Sequence, residues 1–149
     1  MIWHSFCTSI RAGNWQKAIT FAHLTHLKLR MEENNKLLNS IIEGIQEKKG
    51  KKISQIQLKG VPGAICDYFV ICEGNTPTQV GALADSVEKA VKVSIGESPI
   101  RVQGQQRSEW IGIDYGNIIV HIFLPDLRQY YNLDNLWDDA HVVQIPSLD

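Results

Sequence analysis

Residues 109–124 constrain the fold more than any other stretch, because they have the pattern of a β-hairpin. The turn falls at residues 114–117, where Gly116 and Asn117 accept a positive φ at low cost. The preceding strand alternates with period 2, which predicts two unlike faces. One face offers an aromatic ring, bare backbone and a carboxylate, which suits contact with a partner, whereas the other is a core face. The first carries Trp110, Gly112 and Asp114, and the second Ile111, Ile113 and Tyr115.

Length and composition predict one globular domain. The chain has 149 residues, of which 44% are hydrophobic and 21% charged. No apolar run approaches the ~18 residues that cross a bilayer, so we expect a soluble, cytoplasmic protein without membrane contact. The three cysteines, Cys7, Cys66 and Cys72, lack metal-binding spacing and are interpreted as buried free thiols in a reducing compartment. Cys66 and Cys72 lie six residues apart, which predicts one face of a strand.

Charge is unevenly distributed along the chain. Residues 1–30 carry four basic side chains and no acidic one, whereas the last 24 residues carry five aspartates and a single base, Arg128. An acidic C-terminal region argues against a general nucleic-acid binder and favours a basic protein partner.

Three segments are predicted from the change in pattern. Residues 1–30 have the composition of an N-terminal extension. One interpretation is a transit-type segment, and the other is a non-native or disordered segment in front of a natural start of translation at Met31. Helical spacing of Trp15, Ala18, Ile19 and Ala22 nevertheless favours some helix there. The folded domain is placed at 31–140, and residues 141–149 have little pattern and are interpreted as a tail.

The order of elements predicts an α/β fold with a mixed sheet and flanking helices. A stripe of Leu37, Leu38, Ile41, Ile42 and Ile45 marks the first helix. Strands are expected at 52–58 and 67–73, and a helix follows, with Thr76 as N-cap, Pro77 in its first turn and Gln79 completing a capping box. A short strand at 100–103, the hairpin and a helix at 125–131 complete the order. The helix after the second strand requires a parallel crossover, whereas the hairpin is antiparallel.

Motifs for catalysis are missing from the sequence. There is no G-x-G-x-x-G, no Walker-type loop, no D-x-D carboxylate pair and no nucleophile elbow. His121 alternates with Ile119 and Phe123, so we interpret it as a core or edge histidine. We therefore expect no enzyme, no catalytic residue, no metal and no cofactor. The alternative is a metal- or nucleotide-dependent transferase holding a phosphate near Gly74 and Asn75.

Four segments in order resemble the ribosomal silencing factor family, also called the Iojap family. They are DYFVICEG at 67–74, QV with ADSV at 79–87, WIGIDYGNIIVHIF at 110–123 and RQYYNLDNLWDDA at 128–140. The resemblance implies a nucleotidyltransferase-like mixed sheet without the catalytic carboxylates of those enzymes. It also implies a protein that binds the large ribosomal subunit through its protein number fourteen. Occupying that site sterically blocks joining of the small subunit and represses translation.

The resemblance assigns partner-binding residues one by one. Trp110 and the turn Asp114-Tyr115-Gly116 match the family's partner-facing segment, and Tyr131 matches the aromatic residue of the helix that follows. For Trp110 the alternative is packing beneath the C-terminal helices, on Leu136 and Trp137. The family further implies a basic patch on the partner, and a minor contact with ribosomal RNA and a homodimer are kept as open expectations.

Overall fold

The computed structural model describes residues 15–148, with side chains from residue 19 onward. The prediction for Cys7 lies outside the described residues. Within them, no helix combines the length and apolar character that crossing a membrane requires. The elements are α1 (Trp15–Glu47), β1 (Lys51–Gln57), β2 (Tyr68–Glu73), α2 (Pro77–Ile95), β3 (Arg101–Gln103), β4 (Trp110–Asp114), β5 (Ile118–Phe123), α3 (Pro125–Tyr131), a 3-10 turn (Leu133–Asn135) and β6 (His141–Ile145).

The chain divides into two compact units, Met1–Asn35 and Lys36–Asp149. In the first unit the described residues are helical, as the spacing near Trp15 predicts. This helical part exposes several large apolar side chains. They are Ile19, Phe21, Leu24, Leu29 and Met31. The division of the chain at residues 30 and 140 stays a prediction.

The second unit is built on a six-stranded mixed sheet in the order β3-β4-β5-β2-β1-β6. β2 and β5 run parallel, and the other four neighbouring pairs are antiparallel. The parallel pair arises because α2 carries the chain from β2 to the far edge at β3, from which β4 and β5 return by antiparallel steps. The predicted α/β class with a mixed sheet is confirmed.

The interpretation of residues 141–149 as a tail with little pattern is wrong, because these residues include a strand. His141–Ile145 forms β6, which pairs with β1 along its whole length. Four of its five residues are exposed, so the strand lacks the alternation by which sequence analysis detects a half-buried strand. Backbone pairing and a bond from the Ser54 hydroxyl to Gln144 Oε1 (3.1 Å) hold it instead.

The two faces of the sheet pack against different layers. The first face is covered by α2 and by the part of α1 that follows Asn35, and their predicted apolar stripes are buried at Leu38, Ile41, Leu83 and Val87. The second face holds a smaller cluster on which α3 and the following turn pack. Its buried members are Ile56, Leu58, Cys66, Phe69, Ile71 and Phe123.

The N-cap Thr76 predicted for α2 is confirmed, and Gln79 completes the cap through Asn75, the residue before Thr76, instead of through Thr76 itself. Gln79 N–H donates to Thr76 Oγ1 (3.1 Å), and the Gln79 side chain accepts from Asn75 N–H (2.8 Å). Pro77 occupies the first turn, where its missing N–H is not needed. The cap fixes the point at which the chain leaves β2 and turns back over the first face.

The prediction that Cys66 and Cys72 share a face is wrong. Cys72 is buried on the first face and Cys66 on the second. Cys66 precedes β2 in a bend, so strand alternation does not extend to it. Both are free and buried, as predicted. Burial raises the pKa of Cys66 to about 11 and that of Cys72 to about 12, so both remain thiols near neutral pH.

Replacing Gly44 with alanine is expected to lower the free energy of unfolding by about 1 to 3 kcal/mol. A Cβ at Gly44 would lie 2.8 Å from Val87 Cα and 2.9 Å from Ser86 O, and these backbone atoms of α2 cannot rotate away. The Ser86 hydroxyl donates to Gly44 O (2.7 Å), so the two helices would also lose a buried hydrogen bond. Urea unfolding measures the change.

Gly81→Ala is the matched control, because its Cβ would meet only Ser108 Oγ at 3.5 Å. The gain in helix propensity should make that variant neutral or up to about 1 kcal/mol more stable. Equal stability of the Gly44 and Gly81 variants would contradict the close packing of α1 on α2.

Candidate functional site

A concavity of about 390 Å³ lies over strands β3, β4 and β5 on the second face of the sheet. We call it the Trp110 groove. Its floor is β4, where Gly112 contributes no side chain, and its walls come from all three strands. The side chains that line it include those of Arg101, Gln103, Trp110, Asp114 and His121. The predicted alternation of β4 is confirmed, because Ile111 and Ile113 are buried on the opposite face, and the use of this face by a partner stays a prediction.

Trp110 is half-buried and held by rings from two elements. Its indole stacks on Phe123 of β5 (centroids 5.0 Å apart) and lies against Tyr131 of α3 (4.6 Å). Trp110 and Trp137 border the same apolar cluster of the second face. Trp110 therefore packs in part beneath a C-terminal helix, through its contact with Tyr131, as the alternative states. Another part of the Trp110 side chain lines the groove.

His121 fixes the indole of Trp110 from the neighbouring strand. Trp110 Nε1–H donates to His121 Nδ1 (3.2 Å), so the neutral imidazole carries its proton on Nε2. Nε2 is buried without a hydrogen-bond partner, and the ring edge meets Phe69 (centroids 4.9 Å apart). Burial lowers the pKa of His121 to about 4, which keeps it neutral near pH 7. The interpretation as a core or edge histidine is confirmed.

Asp114 closes the hairpin turn and faces the groove. Its Oδ1 accepts from Gly116 N–H (2.7 Å), and Gly116 adopts φ +88°, which few side chains tolerate. Arg101 lies directly opposite Asp114 in the β3–β4 pair. The carboxylate therefore has a structural role at this position besides any contact with a partner.

Tyr131 extends the aromatic surface beyond the groove. Its side chain is 45% exposed while it packs on Trp110, and Tyr130 stands edge-on to it (5.1 Å) with 79% exposed. Neither tyrosine belongs to the core, because α3 has no buried residue.

Tyr115 is placed away from this surface. It is 8% exposed and packs in the cluster of the first face, as its place in the alternation predicts. Burial, with Glu88 and Glu97 nearby, raises the pKa of its hydroxyl far above the usual value. The assignment of Tyr115 as a partner-binding side chain is therefore corrected, because only its backbone lies within the turn. The candidate site retains Trp110, Asp114, Gly116 and Tyr131.

A family model described as "Ribosomal silencing factor during starvation" matches residues 31–149. The chain belongs to the ribosomal silencing factor family. A ribosomal silencing factor of Halalkalibacterium halodurans is 36% identical over 115 residues, covering 77% of this chain and 97% of that protein. The mouse protein named mitochondrial assembly of ribosomal large subunit protein 1 is 30% identical over 73 residues, covering 48% of this chain and 32% of its own length.

A solved structure supports the fold of this silencing factor. A protein of Bacillus halodurans superposes with a TM-score of 0.64 at 32% sequence identity, covering 74% of this chain and 99% of that one. The fold described above is therefore shared with that protein over 74% of this chain.

An ion cluster that the sequence did not predict joins α3 of this silencing factor to the sheet. Arg128 pairs with Asp134 (2.8 and 3.1 Å) and with buried Glu73 (3.4 Å). It also donates to Ser54 Oγ (2.9 Å) and to Lys52 O (2.5 Å). Burial alone would raise the pKa of Asp134, but hydrogen bonds and the charge of Arg128 lower it. The sequence carries one signal for this cluster, because Arg128 is the only Lys or Arg among the last 24 residues.

The turn after β2 offers little to a phosphate. The N–H of Asn75 donates to Gln79 Oε1, and the Thr76 hydroxyl accepts from Gln79 N–H, so both groups already have partners. A Cβ on Gly74 would lie 2.9 Å from Val80 Cγ2, which gives this glycine a packing role. Within residues 15–148 no cluster of metal-ligating side chains occurs. The geometry therefore lends no support to the transferase alternative.

Exposed carboxylates flank the aromatic surface in sequence. Glu109 precedes Trp110, Asp126 lies in the first turn of α3, and Asp138 and Asp139 follow Trp137. Among the described residues of this C-terminal region, the one base is Arg128, which is 10% exposed and paired internally. The acidic character predicted for this part of the protein is therefore presented to solvent.

Proposed function

We propose that this silencing factor binds the large ribosomal subunit through the subunit's protein number fourteen and sterically blocks joining of the small subunit. The observation that carries the proposal is the Trp110 groove, with its aromatic extension through Tyr131. Membership of a ribosomal silencing family supports a ribosomal partner. The name of the mouse relative supports the large subunit as the one concerned.

The composition of the surface suits a protein partner with a basic rim. A half-buried tryptophan with its ring locked by His121 loses little conformational entropy on binding, and tryptophans are enriched among interface hot spots. The exposed carboxylates that flank Trp110 and α3 in sequence would attract a basic patch and speed encounter. We propose exclusion by volume rather than chemistry, acting in the cytoplasm, because the function then needs only a surface and a bulky domain.

Sedimentation with purified subunits tests the proposal directly. The protein is expected to pellet with large subunits, and not with large subunits that lack protein number fourteen. Adding it before small subunits should lower the yield of joined ribosomes in a sucrose gradient. Equal binding to subunits with and without that protein would refute the proposed site, and unimpaired joining by saturated large subunits would refute the exclusion mechanism.

Replacing Trp110 with alanine is expected to weaken binding to the large subunit by ~2 kcal/mol, or about 30-fold. The loss has a physical reason, since the indole is the largest side chain of the groove and also supports Tyr131. Titrated co-sedimentation measures it, with circular dichroism confirming that the variant is folded. Val93→Ala, which trims an exposed apolar side chain of α2, is the control and should bind like the wild type. Equal binding by the Trp110 variant would contradict its role as an anchor.

A further inference from the structure

Gly112 is unusual among the described glycines, because nothing in the protein explains it. A Cβ at this position would meet no atom within 4 Å, and φ lies outside the left-handed region. The other glycines with open space, Gly60, Gly63 and Gly96, all have positive φ. A glycine inside a strand costs stability, and it often marks a place where another molecule approaches closely.

The missing side chain leaves a notch in the floor of the Trp110 groove. Along β4 the notch lies between Trp110 and Asp114, whose side chains point to the same face. Across the sheet, Gly112 lies directly opposite Gln103 of β3 and His121 of β5. Four side chains therefore frame a space that reaches down to the backbone.

The chemistry of the frame favours an uncharged occupant. Asp114 and Arg101 lie opposite one another at one end, so their charges offset. His121 carries no charge near neutral pH, because burial lowers its pKa to about 4. The indole of Trp110 at the other end, and the side chain of Ile119 opposite Asp114 on β5, provide apolar surface.

We infer that Gly112 is a specificity-determining residue, which leaves room for one apolar side chain of the protein partner to pack against the backbone of β4. The inference rests on the proposed function, because the occupant comes from the large-subunit protein that the groove binds. The anchoring role of Trp110 requires only contacts with the indole. The role of Gly112 also requires that the partner approach the backbone of β4 closely. A side chain at position 112 would fill the space without disturbing the silencing factor itself.

A size series at position 112 tests the inference by titrated co-sedimentation with large subunits. Gly112→Ala should weaken binding about threefold, and Gly112→Val and Gly112→Leu tenfold or more, because overpacking grows with volume. The denaturant midpoint of Gly112→Ala should equal or exceed that of the wild type, since its Cβ meets open space, and the midpoints of the Val and Leu variants show that they remain folded. Gly81→Ala, on α2 of the opposite layer, is the control and should bind normally.

Each outcome has a defined meaning. If the wild type binds and Gly112→Leu binds equally well, the inference is wrong while the proposed function stands. If the wild type itself fails to pellet, both are wrong. A lowered midpoint for Gly112→Ala would also overturn the inference, because it would reveal an internal role for this glycine. The ratio between wild type and Gly112→Leu should be the same in about 0.1 M and about 0.4 M salt, and a ratio that falls with salt would overturn the assignment of an apolar occupant.

Discussion

Replacing Arg128 with alanine is expected to lower the free energy of unfolding by about 3 to 5 kcal/mol. The guanidinium is 10% exposed and satisfies Glu73, which is 8% exposed at its side chain, together with Asp134. Without it, Glu73 keeps only a 3.9 Å contact with Lys52, whose side chain is 75% exposed. An uncompensated buried carboxylate is costly, and the Ser54 hydroxyl and Lys52 carbonyl lose a donor as well.

Urea unfolding of paired variants separates the charge from the packing. Arg107→Ala removes an exposed arginine and should change stability by less than about 0.5 kcal/mol. The double variant Glu73→Gln with Arg128→Met should recover much of the loss, because the buried carboxylate of Glu73 is gone and only the more exposed Asp134 is left without its partner. A loss below about 1 kcal/mol for Arg128→Ala would show that Lys52 or solvent satisfies Glu73, and would contradict the ion cluster as a buried anchor.

The hairpin and the helix cap could be predicted from sequence because they depend on neighbours in the chain. Alternation along β4 separates the buried Ile111 from the groove-facing Gly112, and the Thr76 cap needs only residues within four positions. β6 was missed for the opposite reason. Its stability comes from pairing with β1, about ninety residues away, and its exposed side chains leave no periodic signal.

The site was predicted in part, and the missed contacts are those between elements. The face carrying Trp110 follows from period 2, but its hydrogen bond to His121 depends on the register of β4 on β5. Arg128 meets Lys52 and Ser54 from more than seventy positions away, a distance at which spacing carries no information. Tyr115 shows the converse, because its burial follows from alternation, whereas the resemblance alone assigned it to the partner surface.

Acidification is expected to destabilise the protein through His121, by about 2 to 3 kcal/mol between about pH 7 and about pH 4.5. Burial lowers the pKa of His121 to about 4 in the folded state, below the value of 6.5 expected when unfolded. The unfolded chain therefore takes up the proton first, so stability is complete above pH 6.5 and is lost as pH falls towards 4. Protonation would also place an N–H on Nδ1, where the imidazole now accepts from Trp110 Nε1–H.

Urea titrations at several pH values measure this loss against two variants. His121→Gln keeps an acceptor within reach of Trp110 without a titrating ring, and it should lose about 2 kcal/mol less than the wild type over this range. His141→Gln removes an exposed imidazole on β6 and should follow the wild type. If His121→Gln showed the full acid sensitivity, the loss would belong to other groups. Because Trp110 Nε1–H donates to His121 Nδ1, the same proton that destabilises the fold also removes this hydrogen bond and leaves the indole held by its packing on Phe123 and Tyr131.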